Sequence, residues 1–292
     1  MNGSISPPSW LSVSEYPFAS NAMHHPDGRI HYVDEGEGPV ILFVHGTPDW
    51  SFGFRHLIKA FRNTNRCIAL DHLGFGLSDK PSSADYTVKA HARRLQDLID
   101  HLGLKDITLV VTDFGGGIGL QHALDHPENV RRIVLYNTWM WDLLPDKRFS
   151  RPFGIMSSWF GRMLYRHMGF SVNVMMPNGY GDRKKLTKDI HAHYKQALPD
   201  AASRAATFAC VQEIGNAGPF WNAQWARVDV LHSIPTLIAW GMKDRFFPPD
   251  LLERWKQALP HASVVTFPEA GHFVHEEAAA ELGAALRELL LP

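Results

Sequence analysis

Two cysteines in 292 residues, Cys67 and Cys210, are too few and too far apart for a disulfide framework, a CxxC redox pair or a thiolate metal site. Two buried thiols are the expectation, and nothing requires an oxidising compartment. Charge of one sign is also missing: the formal net charge is −1, which gives no bulk attraction to nucleic acid or an anionic membrane. No run is apolar for long enough to span a bilayer, and the opening "MNGSISPPSWLSVSEYPF" lacks the basic start and apolar core of a signal peptide. A cytoplasmic location is therefore expected. Internal repeats, low-complexity tracts and metal-ligand spacings are absent too, so no cofactor or metal is expected.

What is present is the alternation of an α/β protein. "RIHYVDEG" (29 to 36) alternates like a half-buried strand, whereas "VILFVHG" (40 to 46) is apolar throughout, as suits a strand covered on both faces. "CIALD", "ITLVVTD" and "RIVLYN" repeat that pattern and end at Asp71, Asp113 and Asn137. Between them lie helical patterns such as 88 to 103, with Leu95, Leu98, Ile99 and Leu102 on one face and Gly103 as the stop. After Asn137 the rhythm breaks into a Trp- and Met-rich stretch with helices expected near 153 to 168, 185 to 197 and 200 to 214. Strands resume with "IPTLIAWG" (234 to 241) and "SVVTF" (263 to 267), and "EEAAAELGAALRELLL" closes the chain as a helix. The expectation is a mostly parallel sheet with helices on both faces (1 to 137 and 231 to 292), interrupted by a helical cap (138 to 230) over the strands' carboxyl ends.

Chemistry concentrates at those ends. "VVTDFGGGIG" sets Asp113 between a strand and a helix, among residues small enough for a sharp turn that would raise its side chain above the sheet. Asp also favours the helix N-cap, so this stretch alone leaves two roles open. "HGTP" (45 to 48) offers the Thr47 amide and the elbow offers that of Phe114, the two donors of an oxyanion hole. "AGHF" puts His272 in a loop after the last strand, with His275 as its fallback, and "WGMKD" puts Asp244 after the preceding one. Nucleophile, acid and histidine then follow in α/β-hydrolase order. His45 is expected to shape its loop rather than do chemistry.

"HGTPDWSFGFR", "LDHLGFGLSDKP", "VVTDFGGGIGL" and "WGMKDRFFPP" together resemble the haloalkane dehalogenase branch of the α/β-hydrolase superfamily, including its β-lactone-cleaving relatives. The resemblance covers about 30 to 137 and 230 to 290. It implies an Asp nucleophile, a histidine base and a cap over an apolar pocket. Two departures stand out: the usual Trp after the nucleophile is Phe114, which has no N–H donor, and an Asn common after the His-Gly pair is Thr47. The acid that some members carry after the earlier strand falls near neutral Asn137, which favours Asp244. Trp139, Trp141 and Trp159 are candidates for a leaving-group donor.

A carboxylate is already ionised near neutral pH and can displace a leaving group from saturated carbon, giving an ester that a His272-activated water hydrolyses. Hydrolytic dehalogenation is the leading expectation, by a monomer or homodimer acting on a small apolar substrate with water. Epoxide or β-lactone hydrolysis is the alternative, with Tyr165, Tyr180 and Tyr194 as candidate donors for an epoxide. A non-catalytic receptor for small ligands is the reading from outside enzymology.

Overall fold

A computed structural model describes residues 6–291; the first five residues of the Pro/Ser-rich start lie outside it. Its eight strands are β1 (Asn21–His25), β2 (Gly28–Glu35), β3 (Val40–Val44), β4 (Arg66–Leu70), β5 (Ile107–Asp113), β6 (Val130–Thr138), β7 (Thr236–Gly241) and β8 (Ser263–Phe267). They form one sheet in the order β1-β2-β4-β3-β5-β6-β7-β8, antiparallel at β1/β2 and β2/β4 and parallel elsewhere. Strand β1 is an addition to the expected set, paired to β2 across the Pro26-Asp27 turn.

The uninterrupted apolar runs split by the two-residue period of a strand. Leu42, Val44, Ile68, Leu70, Leu109 and Val111 enter one hydrophobic cluster. Ile41, Phe43, Cys67, Ala69 and Val110 enter a second on the opposite face. Each fully buried aliphatic side chain contributes roughly 1.5–3 kcal/mol, so a strand with apolar residues at every position is stable only between two helical layers.

Helix Val88–Leu102 matches its expected span: Thr87 caps it by accepting the Ala90 amide, and Gly103, at φ 57°, closes it in the left-handed conformation glycine adopts cheaply. The final helix is broken at Ala278 into Val274–Glu277 and Ala279–Leu290.

Between β6 and β7 the described residues form six α-helices: Lys147–Met156, Trp159–Met168, Met176–Gly179, Lys188–Ala197, Ala205–Asn216 and Gly218–Trp225. The single helix expected over 153 to 168 is two, because Ser158 starts a new one by accepting the Gly161 amide. The helix expected from 200 begins at Ala205, after a turn that Asp200 and Ser203 close on each other. Among the described residues no helix is long and apolar enough to cross a membrane.

Candidate active site

Chain order reverses where β3 lies between β4 and β5, and at such a switch point the loops leaving adjacent strands diverge and open a crevice. Thr47 follows β3 and Asp113 ends β5, so the two meet there. Asp113 has φ 51° and ψ −133°, a conformation that costs a non-glycine residue on the order of 1–3 kcal/mol, and its side chain makes no cap bond to the helix Phe114–Asp125. The N-cap role is thus not the one its carboxylate takes. The turn is possible because its neighbours lack side chains: a Cβ on Gly115 would fall 2.2 Å from the Val44 carbonyl oxygen, and one on Gly116 1.7 Å from Thr138 Oγ1. Thr138 Oγ1 instead donates to the Asp113 carbonyl at 2.6 Å.

The Asp113 carboxylate has two differently occupied oxygens. Oδ1 accepts the Thr47 amide at 2.7 Å, and Oδ2 lies 3.5 Å from His272 Nε2. On the far side of the imidazole, Nδ1 is 2.8 Å from Asp244 Oδ2. Asp244 is buried and fully bonded: Oδ1 accepts the amides of Phe246 and Phe247 at 2.7 and 3.1 Å, and Oδ2 also accepts Asn137 Nδ2 at 2.7 Å. Burial opposes charge on His272, but the Asp244 carboxylate, with Asp113 behind it, raises its pKa to about 10. The histidine loop is tied to the helical segment, since the His272 amide donates to the Gly179 carbonyl at 2.7 Å. Glu277 accepts the amides of Gly271, Gly181 and Asp182.

Asp113, Thr47, Phe114 and His272 open on one mostly apolar cavity of about 320 Å³, walled across from them by Phe149, Phe153 and Tyr165 of the helices. Trp139 lines it too, edge-on to Phe114 with ring centroids 4.8 Å apart. Trp139 is buried, yet its indole N–H has no partner, and neither has the Thr47 hydroxyl. The Ser171 hydroxyl on the same cavity is unpaired as well. A buried donor left unpaired costs about 1–3 kcal/mol, so these groups mark where a ligand acceptor would be held.

The other tryptophan candidates do not reach it. Trp141 packs between Trp225 and Trp255 beneath Arg254, outside the cavity lining. Trp159 is 77% exposed on the outer surface. Of the tyrosines, Tyr165 alone lines the cavity; Tyr180 stacks on Phe273 and Tyr194 donates to Glu276. His275 faces Asp49 at 2.9 Å, outside the cavity. His45 braces its loop, accepting the His72 amide through Nε2. Sequence reasoning saw Asn137 only as a missing carboxylate; its amide is a donor to the acid one strand away. The signal available was a polar residue at the end of a buried strand.

A sharp strand-to-helix elbow carrying the acid, with a histidine and a second acid on later loops, defines the class as α/β hydrolase. A model of the alpha/beta hydrolase fold family matches residues 39–279. Haloalkane dehalogenase 2 of Mycobacterium tuberculosis is 40% identical over 277 residues, 94% of this chain and 95% of that protein. A cis-3-alkyl-4-alkyloxetan-2-one decarboxylase of Shewanella oneidensis is 36% identical over 276 residues, 91% of this chain and 86% of that protein. A haloalkane dehalogenase of Agrobacterium tumefaciens superposes with a TM-score of 0.83 at 22% identity, covering 96% of this chain and all of that one, a likeness of fold. The chain belongs to the α/β-hydrolase family, in its haloalkane dehalogenase-like branch, and is a hydrolase.

Proposed function

We propose that this hydrolase cleaves carbon–halogen bonds in small apolar haloalkanes through an ester on Asp113, beneath a cap formed by residues 138 to 230. The observation that carries the reading is the division of labour on Asp113: one oxygen is bound in an amide cradle, and the other faces both the cavity and His272. Oδ2 attacks the halogenated carbon, the carbon–halogen bond breaks, and the halide departs with the electron pair toward the N–H of Trp139 and the hydroxyl of Thr47. Oδ1, already on the Thr47 amide, becomes the ester carbonyl. The Phe114 amide, first of its helix and so without an intrahelical acceptor, completes the oxyanion hole.

The base is switched by its substrate. While Asp113 is anionic it helps keep His272 protonated; esterification removes that charge, and the histidine's pKa falls. The imidazolium gives its proton to solvent. Neutral Nε2 then takes a proton from water, hydroxide adds to Cγ of Asp113, and the intermediate expels an alkoxide that recovers that proton as alcohol. The Asp113 acid left behind passes its proton to Nε2, restoring the resting pair. Haloalkane and water give alcohol, halide and one proton. Asp244, held by Asn137, keeps Nδ1 protonated and balances the imidazolium.

β-Lactone opening is the second reading, favoured by the decarboxylase relative and by Phe114, which lacks the usual donor beside the nucleophile. The test is a His272→Phe variant exposed in parallel to bromoalkanes, epoxides and β-lactones, with intact-protein mass as the readout. Dehalogenation predicts a stable mass gain of one alkyl group from a bromoalkane that the wild type turns over. Turnover of that bromoalkane by the wild type with no adduct in the variant would refute the ester.

A further inference from the structure

The helices over the cavity present an outer face that the mechanism does not use. Eight large hydrophobic side chains are exposed among the described residues, and five of them, Ile155, Trp159, Phe160, Met168 and Val174, fall within twenty consecutive positions. The segment 147 to 181 also contains five Lys or Arg and no Asp or Glu, in a chain whose total charge is −1. Arg148 is neutralised by Asp146 and Asp250, and Arg166 donates to the Ala201 carbonyl. Lys147, Arg151 and Arg162 have no carboxylate partner among the described residues. Trp159, Arg162 and Arg166 recur at helical spacing and line one shallow depression together.

We propose that this face seats the enzyme on an anionic lipid surface. Exposed aromatic and aliphatic side chains interleaved with unpaired cations are the composition of an interfacial helix, whose apolar residues enter the acyl boundary while its cations meet lipid phosphates. A second copy of the chain fits less well, because a twofold contact would set this basic face against itself. The placement serves the cavity: helix Lys147–Met156 turns Ile155 outward while Phe149, Phe153 and Met156 line the space above Asp113. An apolar substrate dissolved in the bilayer would then reach the site with little exposure to water. The near-zero net charge, from which the sequence suggested no membrane partner, averages this face away.

Flotation of the full-length protein with vesicles of phosphatidylcholine alone, and of phosphatidylcholine mixed with phosphatidylglycerol, tests the assignment. Partition onto the mixed vesicles alone is expected, weakening at about 1 M salt, where the Debye length is about 3 Å. Arg151→Glu with Arg162→Glu should lower it by about 25-fold or more, at roughly fivefold per basic residue. Ile155→Glu with Phe160→Glu should abolish it while turnover of a short, water-soluble substrate is retained. That activity is measured separately, so failure of the dehalogenase reading is distinguishable from failure of this one. No partition onto anionic vesicles, partition that neither double variant reduces, or a wild-type dimer that Ile155→Glu with Phe160→Glu dissociates would each overturn the proposal.

Discussion

Replacing Trp139 by Phe removes one indole N–H from the cavity wall and little else. The ring that meets Phe114 edge-on, and lies against Phe247 at 4.8 Å, is kept in shape if not in full size. A hydrogen bond to a charged acceptor is worth about 1.5–3 kcal/mol, and a departing halide gains that charge mostly in the transition state. Bromide release from a bromoalkane should therefore slow by roughly 10- to 150-fold in kcat/KM. Stability should move far less, because two terms oppose. The smaller ring leaves a void costing on the order of 1 kcal/mol, while the substitution also removes an unpaired buried donor worth about 1–3 kcal/mol. The assay pairs steady-state bromide release with urea unfolding of the same preparations. Equal kcat/KM for wild type and variant, with the fold intact, would refute Trp139 as the leaving-group donor. A loss of activity matched by a large loss of stability would show that the indole acts by packing instead.

Further outcomes follow from the same geometry. Asn137→Asp places a second carboxyl 2.7 Å from Asp244 in a buried site; loss of that charge-assisted donor, about 1.5–3 kcal/mol, should cost tenfold or more in kcat and shift the pH–rate profile, which stopped-flow halide assays would record. Gly46→Ala builds a Cβ 2.1 Å from Asp113 Oδ1, displacing the carboxylate from the Thr47 amide; since Gly46 has no left-handed φ, circular dichroism should stay native while kcat drops on the order of 10²–10³-fold. Asp113→Asn should abolish turnover with the fold retained, and steady-state activity in material shown by mass to be free of deamidation would contradict the nucleophile. Because folding raises the His272 pKa from 6.5 to about 10, its contribution to stability is complete below about pH 6.5 and is lost as pH rises through 10. Burial lowers Lys80 to about 8 and gives an opposite slope, so the contribution is read from the wild type minus His272→Phe across that window.

The strand segments, the elbow and the order of acid and histidine were legible because they rest on local rules. Apolar runs at every position require burial on both faces, and a sharp turn requires small neighbours whatever surrounds it. Strand β1 was not legible, since an edge strand of five residues carries little apolar signal. Nor was the break near Ser158, because a Ser-Ser pair inside a helical pattern declares itself only when one hydroxyl takes a backbone amide.

The sequence by itself determined that a carboxylate stands at the elbow and that Phe, with no donor, follows it. Tertiary structure alone decided which indole N–H meets the cavity. Trp139, Trp141 and Trp159 lie within 21 positions and are chemically identical, yet one lines the cavity with its N–H unpaired, one packs edge-on to other tryptophans outside it, and one faces solvent. Asn137 likewise became a partner of Asp244 only when β6 and β7 paired side by side. Side-chain identity is written in the chain, but the direction a side chain points depends on the packing of elements far apart in it.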